Sequence, residues 1–227
     1  MARRRRTRQP NPPSTRAANK SEHRAEKITL RRIWHFLWYE DSLASWIANI
    51  VLAYVLIKFI LYPGLGLILG TPFPVVAVVS GSMEHHPSNF DDWWAAHGAF
   101  YEQEPWNISR EQFETFPFKN GFNKGDIMVL TGVDPDSMPI GTVIVYKSAK
   151  PYPIIHRYIG TNEVPLRGEY LVSKGDNNRL IFAGPELNEF RVPKDWVFGK
   201  ATFRIPYLGY VKLWAVDAFN WLLSLFS

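Results

Sequence analysis

The sequence contains no cysteine at any of its 227 positions. That absence excludes a disulfide framework, thiolate zinc sites, iron–sulfur ligation and a cysteine nucleophile. It leaves the compartment open, since oxidising compartments also hold cysteine-free proteins. Charge is almost missing from one long stretch: between Asp41 and Glu84 the only formally charged residue is Lys58. Positive charge, in turn, has no excess outside the N-terminus. Residues 1–41 hold eleven Lys/Arg against four Asp/Glu, a net of +7, whereas the remainder holds 15 basic and 17 acidic side chains. The net charge of +5 is therefore a property of the tail. A slightly acidic body argues against a basic groove tracking phosphates, and no nucleic-acid partner is expected.

What is present divides the chain into five stretches. Residues 1–28 are Arg-rich and polar with little to bury, which predicts a disordered cytoplasmic tail. The run Arg3–Arg6 on its own also fits a nucleic-acid arm or a targeting signal. Residues 29–41 include Ile33, Trp34, Phe36, Leu37, Trp38 and Tyr39 beside Arg31 and Arg32, an interfacial amphipathic segment. Leu43–Tyr62 is a mostly aliphatic run of twenty residues, about what a bilayer core requires. It starts too far from the N-terminus and is too long for a cleavable signal peptide, so it predicts an anchor within residues 42–70, with Pro63, Gly64 and Gly66 loosening the helix or marking its exit. The basic N-terminal flank puts the N-terminus in the cytoplasm and everything after about Gly70 outside.

Residues 71–204 change texture. Short β-branched runs (Val75–Val79, Ile127–Leu130, Thr142–Tyr146, Tyr170–Val172, Trp196–Phe198) alternate with Gly, Pro, Asp and Asn. The expected fold is mainly β, without the helix–strand alternation of a doubly wound sheet. An insertion at about 84–122, acidic and rich in Trp and Phe, predicts one or two helices, the first running from Asn89 through Ala96. It would either rest as a lip on lipid headgroups or pack on the β core. Asn107-Ile108-Ser109 is a glycosylation sequon. Residues 205–227 predict a membrane-associated segment: Asp217, Asn220, Ser224 and Ser227 fall on one helical stripe, as in an amphipathic helix. A second span is the alternative, at a cost of about 2–3 kcal/mol for Asp217.

Three blocks carry chemistry. Val79-Ser80-Gly81-Ser82-Met83 ends an apolar strand, Ile155-His156-Arg157 sits in a β-like run, and Ser173-Lys174-Gly175-Asp176-Asn177-Asn178 makes a tight turn. Each alone also fits ordinary turn or core chemistry. Lys58, Lys147 and Lys174 are alternative bases for a Ser/Lys dyad. His85 and His86 beside Asp91 and Asp92 show no metal-ligand spacing of a known zinc type, and neither a metal nor another cofactor is expected.

In this order behind one anchor, the blocks resemble type I signal peptidases of the archaeal and endoplasmic-reticulum branch. Lys124-Gly125-Asp126-Ile127, the strand Val143–Lys147, Gly199-Lys200 and Ile205-Pro206-Tyr207-Leu208-Gly209-Tyr210 extend the resemblance over most of residues 43–213. It implies a β catalytic domain and a membrane-bound serine endopeptidase that removes signal peptides after small residues. Ser82 then matches the nucleophile, His156 the general base, and Asp176 the first of two family aspartates. The Ser82 N–H and the Ser80 hydroxyl would bind the oxyanion. Implied partners are preproteins, the lipid bilayer and the protein translocation channel. The C-terminus carries no retention motif, which favours a plasma membrane of archaeal type.

One position departs from the pattern. The family usually has a second aspartate six residues after the first, where Phe182 stands here, and Arg179–Asn188 looks like extra chain before the pattern resumes at Val192. Glu186 or Glu189 could supply the carboxylate, or Asp176 could contact His156 itself. A catalytically inactive membrane scaffold of the same fold is the alternative function.

Only about a dozen residues lie between the end of the apolar run and Ser82. At about 3.5 Å per extended residue, the nucleophile is expected near the membrane surface.

Overall fold

A computed structural model describes residues 31–85, 89–165, 168–208, 210, 221 and 224. The predicted tail 1–28, His86 and nearly all of the predicted C-terminal helix lie outside the described residues. The chain divides into two compact units, residues 1–61 and 62–227.

In the first unit, residues 31–39 form helix α1 and Leu43–Leu56 form α2. The turn between them is closed by side chains. Ser42 caps α2 by accepting from the Ser45 N–H at 3.1 Å, while the Ser45 hydroxyl donates to the Phe36 carbonyl at 2.7 Å and Asn49 donates to the Leu37 carbonyl at 2.8 Å. These bonds satisfy helix-end groups that would otherwise lack partners. A π-helical turn, Ile57–Leu61, follows, and Tyr62–Leu69 forms α3. The helix thus continues through Pro63, Gly64 and Gly66. Proline has no N–H to donate and its ring would crowd the carbonyl four residues back; a wider turn just before Pro63 accommodates both effects. Lys58 lies in that turn and donates to the Tyr54 hydroxyl at 3.0 Å. The run Leu43–Leu69, 27 residues with exposed apolar faces, is long and apolar enough to cross a membrane.

The second unit holds a six-stranded sheet in the order β1-β2-β6-β3-β4-β5, with every neighbour antiparallel. The strands are β1 Val75–Ala77, β2 Ile127–Thr131, β3 Val143–Tyr146, β4 Ile154–Val164, β5 Gly168–Lys174 and β6 Val197–Ile205. All four β3 residues are buried, because strand alternation feeds two cores. Val143 and Val145 pack with Met83, Phe122, Met128 and Leu130, while Ile144 and Tyr146 pack with Leu171 and Val192.

The predicted insertion contains helices α4 (Phe90–Glu102) and α5 (Arg110–Glu114). Asn89 caps α4 by accepting from the Asp92 N–H at 2.9 Å, and Asp91 and Asp92 sit where the helix dipole favours acids. The helix runs beyond Ala96 to Glu102 because Trp93, Trp94 and Tyr101 lie on a face that is buried along its whole length. With Phe113 and Phe116 these rings pack on Ile159 of β4 and Val172 of β5. Burying a ring of this size removes about 150–250 Å² from water, worth roughly 4–6 kcal/mol at most. The insertion therefore turns its aromatic residues onto the β core, not outward as a lip.

Candidate active site

After β1 the chain turns sharply through Ser80–Glu84, and the Glu84 N–H donates to the Gly81 carbonyl at 3.1 Å. Fully buried Met83 anchors this turn, and its carbonyl accepts from the Phe122 N–H at 3.0 Å. A second turn, Gly175–Asn178, is fastened across it. The Asn177 N–H donates to the Ser82 carbonyl at 2.8 Å and its side-chain amide to the Gly81 carbonyl at 3.0 Å. The two turns meet closely at Gly175, where a Cβ would lie 2.9 Å from both His156 Nε2 and the Ser82 carbonyl oxygen.

Buried His156 projects from β4 with Nε2 2.9 Å from Ser82 Oγ. Its Nδ1 meets Glu189 Oε1. A carboxylate only accepts, so Nδ1 carries the proton and Nε2 is free to accept from the Ser82 hydroxyl. The Ser80 hydroxyl lies 3.1 Å from Ser82 Oγ.

Glu189 is fully buried and reaches the histidine from the return arm of a hairpin bridged between Ala183 and Asn188. Its other oxygen accepts from the Phe182 N–H at 2.6 Å, its own N–H donates to the Phe182 carbonyl at 2.8 Å, and its carbonyl accepts from the Ser173 N–H at 2.9 Å. At the position of the expected second aspartate, the backbone of Phe182 thus holds the carboxylate that faces His156. Glu186 is exposed.

Asp176 has other partners. Arg157 Nε donates to it at 2.9 Å and Nη2 at 2.6 Å, Tyr101 donates at 3.3 Å, and His85 Nε2 lies 3.2 Å from Oδ2. The remaining Arg157 N–H groups donate to the carbonyls of Pro117, Gly141 and Phe118, so a fully buried guanidinium is completely satisfied. Burial pushes the Asp176 carboxyl up, but the Arg157 charge and the hydrogen bonds from His85 and Arg157 outweigh it and hold the group well below the usual carboxylate range.

Lys174 is also buried, with Nζ 3.1 Å from the Gly175 carbonyl and 3.4 Å from the Tyr101 hydroxyl, over the Phe100 and Tyr101 rings. Burial pulls its pKa down to about 8 against the opposing charges of Asp176 and Glu189. Its amine is turned to the helical insertion, Lys147 is exposed at the end of β3, and Lys58 belongs to the apolar helix.

The sequence offered no sign of the part played by His85 and Tyr101. Both come from the insertion, His85 stacks on Trp93 at 3.8 Å, and only folding brings them to Asp176. Among the described residues no group of three or more His, Asp or Glu side chains converges as metal ligands do.

An apolar cavity of about 290 Å³ is lined by residues including Val75, Ala77, Val79, Val145 and Ile155, the last preceding His156 on β4. It flanks β1, an edge strand with one side free of any strand partner among the described residues.

No family model matches the chain. It is similar over most of its length to catalytic subunits of the signal peptidase complex. The subunit sec11 from Pyrenophora tritici-repentis is 28% identical over 181 residues, 76% of this chain and 80% of the relative. SEC11 from Leptosphaeria maculans is 28% identical over 180 residues, 76% of this chain and 80% of the relative. Human SEC11C is 27% identical over 156 residues, 67% of this chain and 62% of the relative. Together with the β-rich unit and the apolar helix, this similarity defines a signal-peptidase-like membrane protein.

Proposed function

We propose that the protein is a membrane-bound serine endopeptidase that removes N-terminal signal peptides from secreted preproteins, cutting after small residues. The observation that carries the reading is the alignment Ser82 Oγ, His156, Glu189, with a hydrogen bond at each ring nitrogen of the imidazole. His156 Nε2 takes the Ser82 proton as Oγ attacks the scissile carbonyl, and Glu189 fixes the tautomer and stabilises the imidazolium. The Ser82 N–H and the Ser80 hydroxyl donate to the oxyanion. His156 then gives the proton to the leaving amine, and water, activated by the same histidine, hydrolyses the acyl-enzyme. Asp176 acts at a distance, tying the Gly175–Asn178 turn to the segment after Ser82 through Met83 and His85, while Arg157 balances its charge.

The free side of β1 suits an extended substrate pairing as an added strand. Alternate residues of such a strand face one way, so the first and third residues before the cut would both point into the apolar cavity. The similarity to signal peptidase catalytic subunits supports the same reaction. The Leu43–Leu69 helix anchors the enzyme, with the basic N-terminus in the cytoplasm and the β unit across the membrane, where cleavage sites emerge.

The test is cleavage of a reporter preprotein by the full chain in liposomes. Ser82→Ala and His156→Ala should each abolish it. Cleavage that survives Ser82→Ala would falsify the assignment, and a wild-type protein that is folded but inert would mark a scaffold.

A further inference from the structure

The hairpin that carries Glu189 also presents two large apolar side chains to solvent. Leu180 is 71% exposed and Phe182 56% exposed, and with Asn177, Asn178 and Arg179 they line a groove of about 530 Å³. Single exposed apolar residues are ordinary, but this pair is held in a fixed direction. Ile181 between them packs against the aromatic cluster of the insertion, which leaves its two neighbours facing outward. The backbone is secured at Phe182 by the bonds to Glu189 and at Asn177 by the bonds to the Ser82 turn.

The groove and the apolar cavity adjoin the Ser82–His156 pair through different neighbours. The cavity does so through Val79 and Ile155, and the groove through Asn177 and, by way of Glu189, Phe182. The two share no lining residue, so a substrate whose residues before the cut occupy β1 and the cavity leaves the groove open to the chain after it.

We propose that Leu180 and Phe182 form a binding site for apolar side chains at the first positions after the cut, so that the enzyme selects the new N-terminus of its product. This rests on the signal-peptide endopeptidase reading. The polar rim of Asn177, Asn178 and Arg179, continuous with the Ser82 turn, fits a peptide with its amide groups and not a lipid tail. The bound segment is the leaving group of the acylation step. Its contacts therefore act on acylation, which governs kcat/KM, and are gone when water attacks the acyl-enzyme.

The test uses full-length protein in detergent and in liposomes, with reporter preproteins identical up to the cut and carrying Leu, Phe, Ser or Asn at the next two positions. Wild type should favour the apolar members by about tenfold in kcat/KM. Leu180→Ser and Phe182→Ser should each bring that ratio towards one, and Phe182→Leu should keep most of it. Leu180→Ser is the safer variant, since Leu180 takes no part in the Glu189 hydrogen bonds.

A wild-type ratio of one overturns the proposal, as does an equal loss on every substrate, the mark of a merely structural loop. Losses seen only in liposomes at an unchanged ratio would assign the strip to lipid and also overturn it. If wild type cuts none of the series, the endopeptidase reading itself fails. If it cuts all of them equally, only this inference fails.

Discussion

Glu189 meets His156 Nδ1 across 33 residues of sequence, from a hairpin whose outgoing strand supplies the Phe182 N–H to the same carboxylate. Asp176 lies only 20 residues from His156 and is fully occupied by Arg157, Tyr101 and His85. Two buried acids in one site are thus divided between a histidine and a guanidinium.

That division predicts unequal effects of neutralising them. Glu189→Gln should lower kcat by about 10³–10⁴-fold with little change in KM, because the amide no longer enforces the tautomer or stabilises the imidazolium. Glu186→Gln, on an exposed side chain, should cleave like wild type. Steady-state kinetics on one reporter preprotein checks both, and a fully active Glu189→Gln would remove Glu189 from the mechanism.

Asp176 should be a stability residue first. Asp176→Asn leaves the Arg157 charge buried without a counter-charge, at about 3–5 kcal/mol, read as a lowered denaturation midpoint. The folded-state pKa is depressed, so the contribution of Asp176 is complete above the unfolded value near 4 and is lost as pH falls below it. Wild-type unfolding followed from pH 7 to pH 3 should show this loss, and the variant should show a lower but flatter curve.

Gly175→Ala should separate activity from folding. Its Cβ would press on His156 Nε2, the Ser82 carbonyl and Asn178 Nδ2, at 2.9, 2.9 and 2.6 Å. Relief requires the two turns to part, which lengthens the Ser82–His156 hydrogen bond. The expectation is at least a 10²-fold loss of kcat/KM in a protein that stays folded by circular dichroism. Undiminished cleavage would mean that this close approach is irrelevant to the reaction.

Lys174 gives a pH signature of the same sign as Asp176, but in an alkaline window. Its pKa is lowered to about 8 by burial, so between there and about 10.5 the unfolded chain binds more protons and stability rises with pH. Lys174→Met keeps the packed stem without the charge. Denaturation midpoints from pH 7 to 10.5 should climb for wild type and flatten for the variant. Parallel curves would show that the amine titrates as it does in water.

Much of the architecture is legible in the chain because it follows from local patterns. The apolar run, the short β-branched strands and the capped start of α4 at Asn89 each have a nearby cause. The reach of elements is less legible: β1 stops at Ala77, short of Val79, and β4 runs to Val164, since pairing partners decide strand length. Ser82 and His156 stand out by their motifs, and folding brings them within 2.9 Å. His85 and Tyr101 carry no such motif, because their role depends on where the insertion docks.

The sequence by itself determined that no thiol chemistry is available, that a basic flank precedes an apolar span, and that a serine, a histidine and an aspartate follow one another along the chain. Zero cysteines, charge asymmetry and hydrophobic length are local facts that any conformation preserves. The tertiary structure decided which acid meets His156. Hydrogen-bond partnership depends on distances of about 3 Å between residues far apart in the chain, and only packing the Phe182–Glu189 hairpin and the helical insertion onto β4 and β5 sets those distances.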